Sequence, residues 1–357
     1  MVTTAYLQKA YSGKKVFLTG HTGFKGTWLL QILHNAGAIV KGYSLAPEKA
    51  DDLYNQINGD SLCTSVIGDI CAAEKLKKEL LDFQPDYVIH FAAQALVKRG
   101  YDQPLYTFLA NAQGTAHVLD AMRFLDKKCV GLMITTDKVY DNPERGLPFS
   151  EDDKLGGYDP YSASKASAEI VIDSYRRSFF NPAQYEKHQK SIAAARAGNV
   201  IGGGDYSDDR IIPDMVRSLA QHVNTIVRNP KSIRPWQHVL EPLGAYLLLA
   251  GKLYDSPTQY CSAFNLGPNP GDMLTVEELV NIFFKCYGRG QFETQINPNA
   301  PHEAKLLLLD STKAKDELGW VPKMDARTAI EWTANWYADD SKSAHEKCIS
   351  QINSYFS

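Results

Sequence analysis

Lys14-Lys15-Val16-Phe17-Leu18-Thr19-Gly20-His21-Thr22-Gly23-Phe24-Lys25-Gly26 runs from a short apolar strand into a glycine turn, and a helical stretch from Thr27 to Ala36 follows. Strand, glycine turn and helix in that order form a dinucleotide fingerprint, here spaced Gly-x-x-Gly-x-x-Gly. Gly20, Gly23 and Gly26 let the backbone approach a pyrophosphate. The unpaired N–H groups at the start of the helix favour an anion there. Thr22, Phe24 and Lys25 lie between the glycines and are assigned to the same cofactor site.

Outward from this turn, strands and helices alternate with short links. A second strand, Ile39 to Ser44, ends in Ser44-Leu45-Ala46-Pro47, without the acid that usually receives the ribose hydroxyls of NAD and without an arginine for a 2′-phosphate. This position therefore leaves NAD and NADP both open. A third strand, Ser65 to Ile70, places Asp69 where it can reach an adenine or cap the helix from Ala72 to Phe83. The fourth, from Tyr87, runs into the small residues Ala92-Ala93-Gln94, suited to a flat ring or to tight packing. A long helix from Leu105 to Leu125 leads to a fifth strand, Val130 to Ile134, and Ser191 to Arg196 reads as a sixth. This is the pattern of a Rossmann-type, doubly wound parallel sheet. From Gly198 glycine and proline become frequent, so residues 1–197 are expected to form the cofactor domain. Residues 198–357 are then mainly a smaller mixed α/β substrate lobe, with segments returning to the sheet. Helices are expected at Ile212 to His222, Leu240 to Tyr254 and Thr275 to Tyr287, with a polar peripheral tail beyond Asp339.

The chemistry-bearing stretch is Thr135 to Lys165. Thr135-Thr136-Asp137-Lys138 follows the fifth strand, at the sheet edge where open α/β folds keep their ligands. Tyr161-Ser162-Ala163-Ser164-Lys165 puts a phenol and an ammonium four residues apart, on one face if helical. A cation beside a phenol favours phenolate, which makes Tyr161 a candidate base near neutral pH.

The chain has 357 residues, 44% of them hydrophobic, enough for a substantial core, and a formal net charge of -3 without long single-sign runs. That argues against nucleic acid or a membrane surface as partner. No apolar run is long enough to span a bilayer. The six cysteines form no Cys-x-x-Cys pair, so neither a metal site nor a redox pair is expected. A cytoplasmic protein is the simplest reading.

Gly20/Gly23/Gly26, Asp69-Ile70, Ala92-Ala93-Gln94, Asn111 and Tyr161/Lys165 together resemble the extended short-chain dehydrogenase/reductase superfamily. Gly156 to Ser162, Arg196 to Asp205 and Arg234-Pro235-Trp236-Gln237-His238-Val239 narrow the likeness to the nucleotide-sugar 4,6-dehydratases, and among these to those acting on CDP-glucose. The resemblance implies a hexose oxidised at C4 and reduced at C6, with NAD as cofactor, NADP remaining open. Tyr161 takes the proton of the 4-hydroxyl, Lys165 holds Tyr161 ionised, Thr136 binds the C4 oxygen and Asp137 protonates the departing 6-hydroxyl. Lys138 stands where related enzymes carry glutamate. It is either a desolvated base at C5 or a charge that stabilises the enolate. Thr135, Ile70 and Asn111 join the cofactor site by the same likeness, and Asn199, Arg210, Arg234 and His238 the sugar-nucleotide site. A homodimer through a four-helix bundle is implied. The nearest rival, a 4-epimerase, shares the redox cycle but gains nothing from Asp137. A non-catalytic dinucleotide sensor would have no need of Tyr161 with Lys165.

Overall fold

Seven parallel strands make the central sheet of the computed structural model, which describes residues 2–144, 146–269, 271–295 and 307–357. β1 is Lys15–Thr19, β2 Ile39–Ser44, β3 Thr64–Ile67, β4 Tyr87–His90, β5 Cys129–Ile134 and β6 Lys190–Arg196. The seventh strand, Ala263–Asn265, joins the edge beside β6, giving the order seventh-β6-β5-β4-β1-β2-β3. β5 and β6 are buried at every residue, as expected of parallel strands covered on both faces by helices. The chain direction of the winding reverses between β1 and β4, which opens a crevice at their carboxyl ends.

The region after Gly198 is interleaved with the sheet. The helix Leu240–Asp255 packs on β5 and β6 and is buried on nearly every side, and the chain then enters the sheet as the seventh strand. Two-stranded pairings follow in the same region, Val200–Ile201 with Gln237–His238 and Phe292–Thr294 with Thr225–Val227.

Several expectations are corrected. The glycine-turn helix starts at Phe24, three residues earlier than expected, with Gly23 as its cap. The expected Leu105–Leu125 helix is two α segments, Pro104–Phe108 and Gly114–Met122, joined by a π turn at Leu109–Gln113. A helix at Thr4–Tyr11 is added before β1. The tail beyond Asp339 is not peripheral. It forms the helix Ala344–Phe356, started by a Ser343–Glu346 capping box, and buries Cys348, Ile352, Tyr355 and Phe356. The Tyr355 hydroxyl donates to the buried Glu241 at 2.8 Å, while the N–H groups of Lys323 and Met324 donate to its other oxygen. Glu241 thereby ties the final helix to the core, and burial pushes its carboxyl up. No described helix is long and apolar enough to cross a membrane. His302 and Glu303 lie outside the described residues.

Candidate active site

The glycine turn presses against the end of β4. Gly20 has φ +75°, and a Cβ there would sit 2.8 Å from the Ala92 nitrogen; a Cβ on Gly26 would sit 2.0 Å from the Gly20 carbonyl oxygen. The helix begins with no side-chain cap and no acid in its first turn. Its leading N–H groups are therefore available to an anion. Thr22 shares a hydrogen bond with Ser44 at 2.8 Å and donates to the Leu45 carbonyl, which fixes the end of β2 against the turn. Ala92 N–H donates to Thr19 Oγ1 at 3.1 Å. Asn111, inside the π turn, spans the cleft wall. Its amide nitrogen donates to the Gln94 carbonyl and to Ser164 Oγ, and its oxygen accepts from Gln94 N–H. A π turn swings one residue off the regular helical face, which is how Asn111 reaches both neighbours.

Asp69 does not cap the following helix, which starts at Ala73 without a side-chain cap. Its carboxylate accepts from Cys71 N–H at 2.8 Å and from the Tyr106 hydroxyl at 3.4 Å. Ile70 is buried against Gly114, and its carbonyl meets His117 Nδ1.

β5 leads into Thr135-Thr136-Asp137-Lys138, the residues expected to carry the acid–base chemistry. Thr136 caps the short turn Asp137–Val139, its hydroxyl accepting from Lys138 N–H at 3.4 Å. Asp137 is buried: Oδ1 accepts from the Thr136 hydroxyl at 2.8 Å, and Oδ2 has no hydrogen-bond partner. The absence of a side chain at Gly198 makes the room, since a Cβ there would lie 2.0 Å from Oδ2. Lys138 is half-buried, with Nζ 3.9 Å from Asp137 Oδ1. Tyr161 and Lys165 come from the helix Pro160–Ser178, whose first turn is set by Pro160 and by Asp159 accepting from Ser162 N–H.

The electrostatics reverse one expectation. Burial raises the Tyr161 phenol to about 12, against the opposing pull of the Thr136 hydroxyl and Arg210, and Asp137 pushes it the same way as burial. Burial likewise lowers Lys165 to about 8, opposed by Glu169. Without further positive charge the proton stays on the phenol, because desolvation of the phenolate outweighs the nearby cations. Burial also brings Lys25 down to about 7, helped by Arg210 and Lys165 and opposed by Asp137 and Asp205. Lys25, Lys165 and Arg210 thus crowd one another, an arrangement that an anionic ligand relieves.

The expected substrate residues divide. Arg210 faces the site through its field on Tyr161 and is tethered to Asp205 at 3.4 Å. Asn199, at φ +43°, receives Gln237 N–H on its carbonyl beside the acid's loop. Arg234 lies on a short strand antiparallel to Leu274–Thr275 and donates to the Ile233 carbonyl. His238 is corrected: it has no exposed surface, sits between the rings of Trp28 and Trp332 and is driven down to about 3 by burial, so it is a core residue. Three buried residues near the site carry no site role in the sequence reading: Glu169, Arg196 and Tyr246. Glu169 follows Lys165 by one helical turn, a signal the spacing did offer. Tyr246 lies in an apolar helix with nothing to mark its hydroxyl, which is unpaired and within the field of Tyr161 and Asp137.

The family model described as GDP-mannose 4,6 dehydratase matches residues 17–333. The chain belongs to this family. It is 44% identical to the CDP-glucose 4,6-dehydratase of Salmonella typhimurium, over 92% of this chain and 91% of that protein. Among solved structures, the dTDP-glucose 4,6-dehydratase of Streptomyces venezuelae, crystallised with NAD bound, superposes with a TM-score of 0.76 at 22% identity, covering 91% of this chain and 97% of that one. The UDP-glucose 4-epimerase of Thermotoga maritima gives 0.77 at 21% identity, over 90% and 98%. At those identities the two structures establish the fold, which a dehydratase and an epimerase share.

Proposed function

We propose that the protein is an NAD-dependent lyase that converts CDP-glucose to CDP-4-keto-6-deoxyglucose and water. The observation that carries the reading is Asp137: a buried carboxyl with one bare oxygen, set between Thr136 and Lys138 beside Tyr161. A 4-epimerase needs no such acid. The 44% identity to a CDP-glucose 4,6-dehydratase supports the choice of nucleotide.

The residues fit NAD by the bare helix start at Gly23, the glycine-to-Ala92 approach and the crowded cations. When bound, NAD supplies the acceptor and later the donor for the sugar's hydride, and a positive charge that favours the Tyr161 phenolate. Tyr161 removes the 4-hydroxyl proton and Thr136 donates to the C4 oxygen as it becomes a carbonyl. That carbonyl acidifies C5–H. Lys138, in its neutral form, takes this proton while protonated Asp137 gives its proton to the 6-hydroxyl, which leaves as water; C6 then takes back the hydride and C5 a proton from Lys138, which closes the cycle. Lys165 holds the charge balance of the pair, and Arg210, Asn199 and Arg234 receive the diphosphate.

The exposed apolar side chains Leu105, Phe108, Leu109 and Ile170 lie on the Asn111 segment and the Tyr161 helix, and they support pairing of two copies through those helices. The test of function is incubation with CDP-, dTDP-, GDP- and UDP-glucose and mass analysis of the products. CDP-glucose is expected to lose one water. Turnover of none, or only C4 epimers, overturns the reading.

A further inference from the structure

Glu169 takes no part in the chemistry described above, yet it is among the most tightly bound side chains in the protein. Arg196, at the end of β6, grips it bidentately, Nε to Oε1 at 3.0 Å and Nη2 to Oε2 at 2.9 Å, with both side chains buried. The Thr135 hydroxyl donates to Oε1 at 2.5 Å. One turn earlier on the same helix, Lys165 Nζ donates to the Ile134 carbonyl at 3.1 Å. The two helix residues thus hold consecutive residues at the end of β5, immediately before Thr136-Asp137-Lys138. Arg196 also donates to the Tyr140 hydroxyl at 2.7 Å and to the Glu151 carbonyl, and Tyr140 donates to Asn265 Oδ1. The clamp therefore joins the Tyr161 helix, the strand ends of β5 and β6, and the seventh strand.

We propose that Glu169 is a positioning residue of the reaction: clamped by Arg196, its carboxylate keeps the buried Lys165 ammonium charged, and through Thr135 it fixes the strand end that presents Thr136 and Asp137. A buried ammonium bonded to a carbonyl alone loses its proton readily, because nothing replaces the hydration of its charge. The other titratable groups facing Lys165 do not supply that charge. Tyr161 on its own helix becomes an anion only when NAD adds its positive charge, Asp137 on the turn packed against that helix has to carry a proton to act as the acid, His90 at the end of β4 is held neutral by burial, and Lys25 on the glycine-turn helix is a cation. Glu169 is the group that opposes the desolvation of Lys165.

The proposal rests on the dehydratase reading, so turnover of CDP-glucose by the unaltered chain with NAD is measured first; its failure counts against that reading alone. The pH profile of turnover is then compared for E169Q and E169D. Removing the carboxylate charge lowers the Lys165 pKa, so activity is lost at lower pH on the alkaline side. In E169Q that limb is expected to move down by about one pH unit or more. In E169D, which keeps the charge, it stays near its original pH although the rate falls. Lys25 titrates in a similar range and is itself pressed down by Lys165, so loss of charge on Lys165 moves Lys25 upward, opposite to the displacement expected of the limb. The E169Q/R196Q double variant removes the Arg196 charge together with that of its partner and serves where E169Q gives no cooperative melt; a downward displacement is again expected, because Lys165 still loses the carboxylate. A folded Gln variant whose rate drops while its alkaline limb stays in place overturns the proposal and leaves Glu169 a purely structural clamp.

Discussion

The glycine turn at residues 20–26 and the acid–base floor formed by residues 135–138, 161 and 165 face the same crevice but are built by opposite means. The turn works by leaving side chains out. Gly20 and Gly26 allow backbone to meet backbone, and the ligand is offered unpaired N–H groups. The floor works by burying side chains that would rather be in water, so that Tyr161 rises to about 12 and Lys165 falls to about 8. A site of the first kind tolerates no added atom. A site of the second kind tolerates shape-preserving changes but not a change of proton.

The largest expected effects sharpen the floor side. Tyr161→Phe, which keeps the ring and removes the hydroxyl, is expected to cut turnover by about a hundred- to ten-thousand-fold while NAD affinity in equilibrium titration is retained. Asp137→Asn is expected to lower product formation comparably, but to leave C4 oxidation, so that reduced dinucleotide accumulates in single-turnover absorbance. An Asn variant that makes product at the normal rate would falsify the acid role. Lys138→Met is expected to slow exchange of solvent deuterium into C5; unchanged exchange removes Lys138 as the base.

The turn side is broken next. Gly26→Ala forces a Cβ to 2.0 Å from the Gly20 oxygen and is expected to cost ~1–3 kcal/mol of stability by denaturant titration, as other overpacking does. Gly23→Ala meets the same oxygen only at 3.5 Å, so it is expected to melt normally and to weaken dinucleotide binding instead. Equal melting of the two variants would contradict the close approach.

The smallest effect concerns stability against pH. His21, His90 and His238 are lowered by burial to about 4, 3 and 3 from 6.5. Between those values and 6.5 the unfolded chain binds more protons than the folded one, so stability falls as pH drops through that window and is level, for these groups, above it. Thermal melts from neutral pH downward are expected to show this decline, and His238→Phe, away from the crevice between two tryptophans, is expected to make it shallower.

Much of the fold was legible because each element carries its own local signal. β1, the glycine turn, β2 and the Tyr161 helix follow from apolar runs, small residues and a Pro160 start, within a few residues of where they lie. The final helix was misread as a tail because its apolar positions are sparse; its burial depends on Glu241, far away in sequence, receiving the Tyr355 hydroxyl. The π turn was missed because it is a long-range fit, Asn111 meeting Gln94 and Ser164, imposed on a sequence that reads as plain helix.

By itself the sequence determined which residue types stand at the carboxyl ends of which strands, because strand, turn and helix propensities act over a few residues and the spacing of glycines, Tyr161 and Lys165 is written directly in the chain. Only the tertiary structure decided their protonation and their company. Desolvation and field depend on what packs from elsewhere, and it took β6 to bring Arg196 onto Glu169, Gly198 to make room for the bare Asp137 oxygen, and two tryptophans to turn His238 into a core side chain.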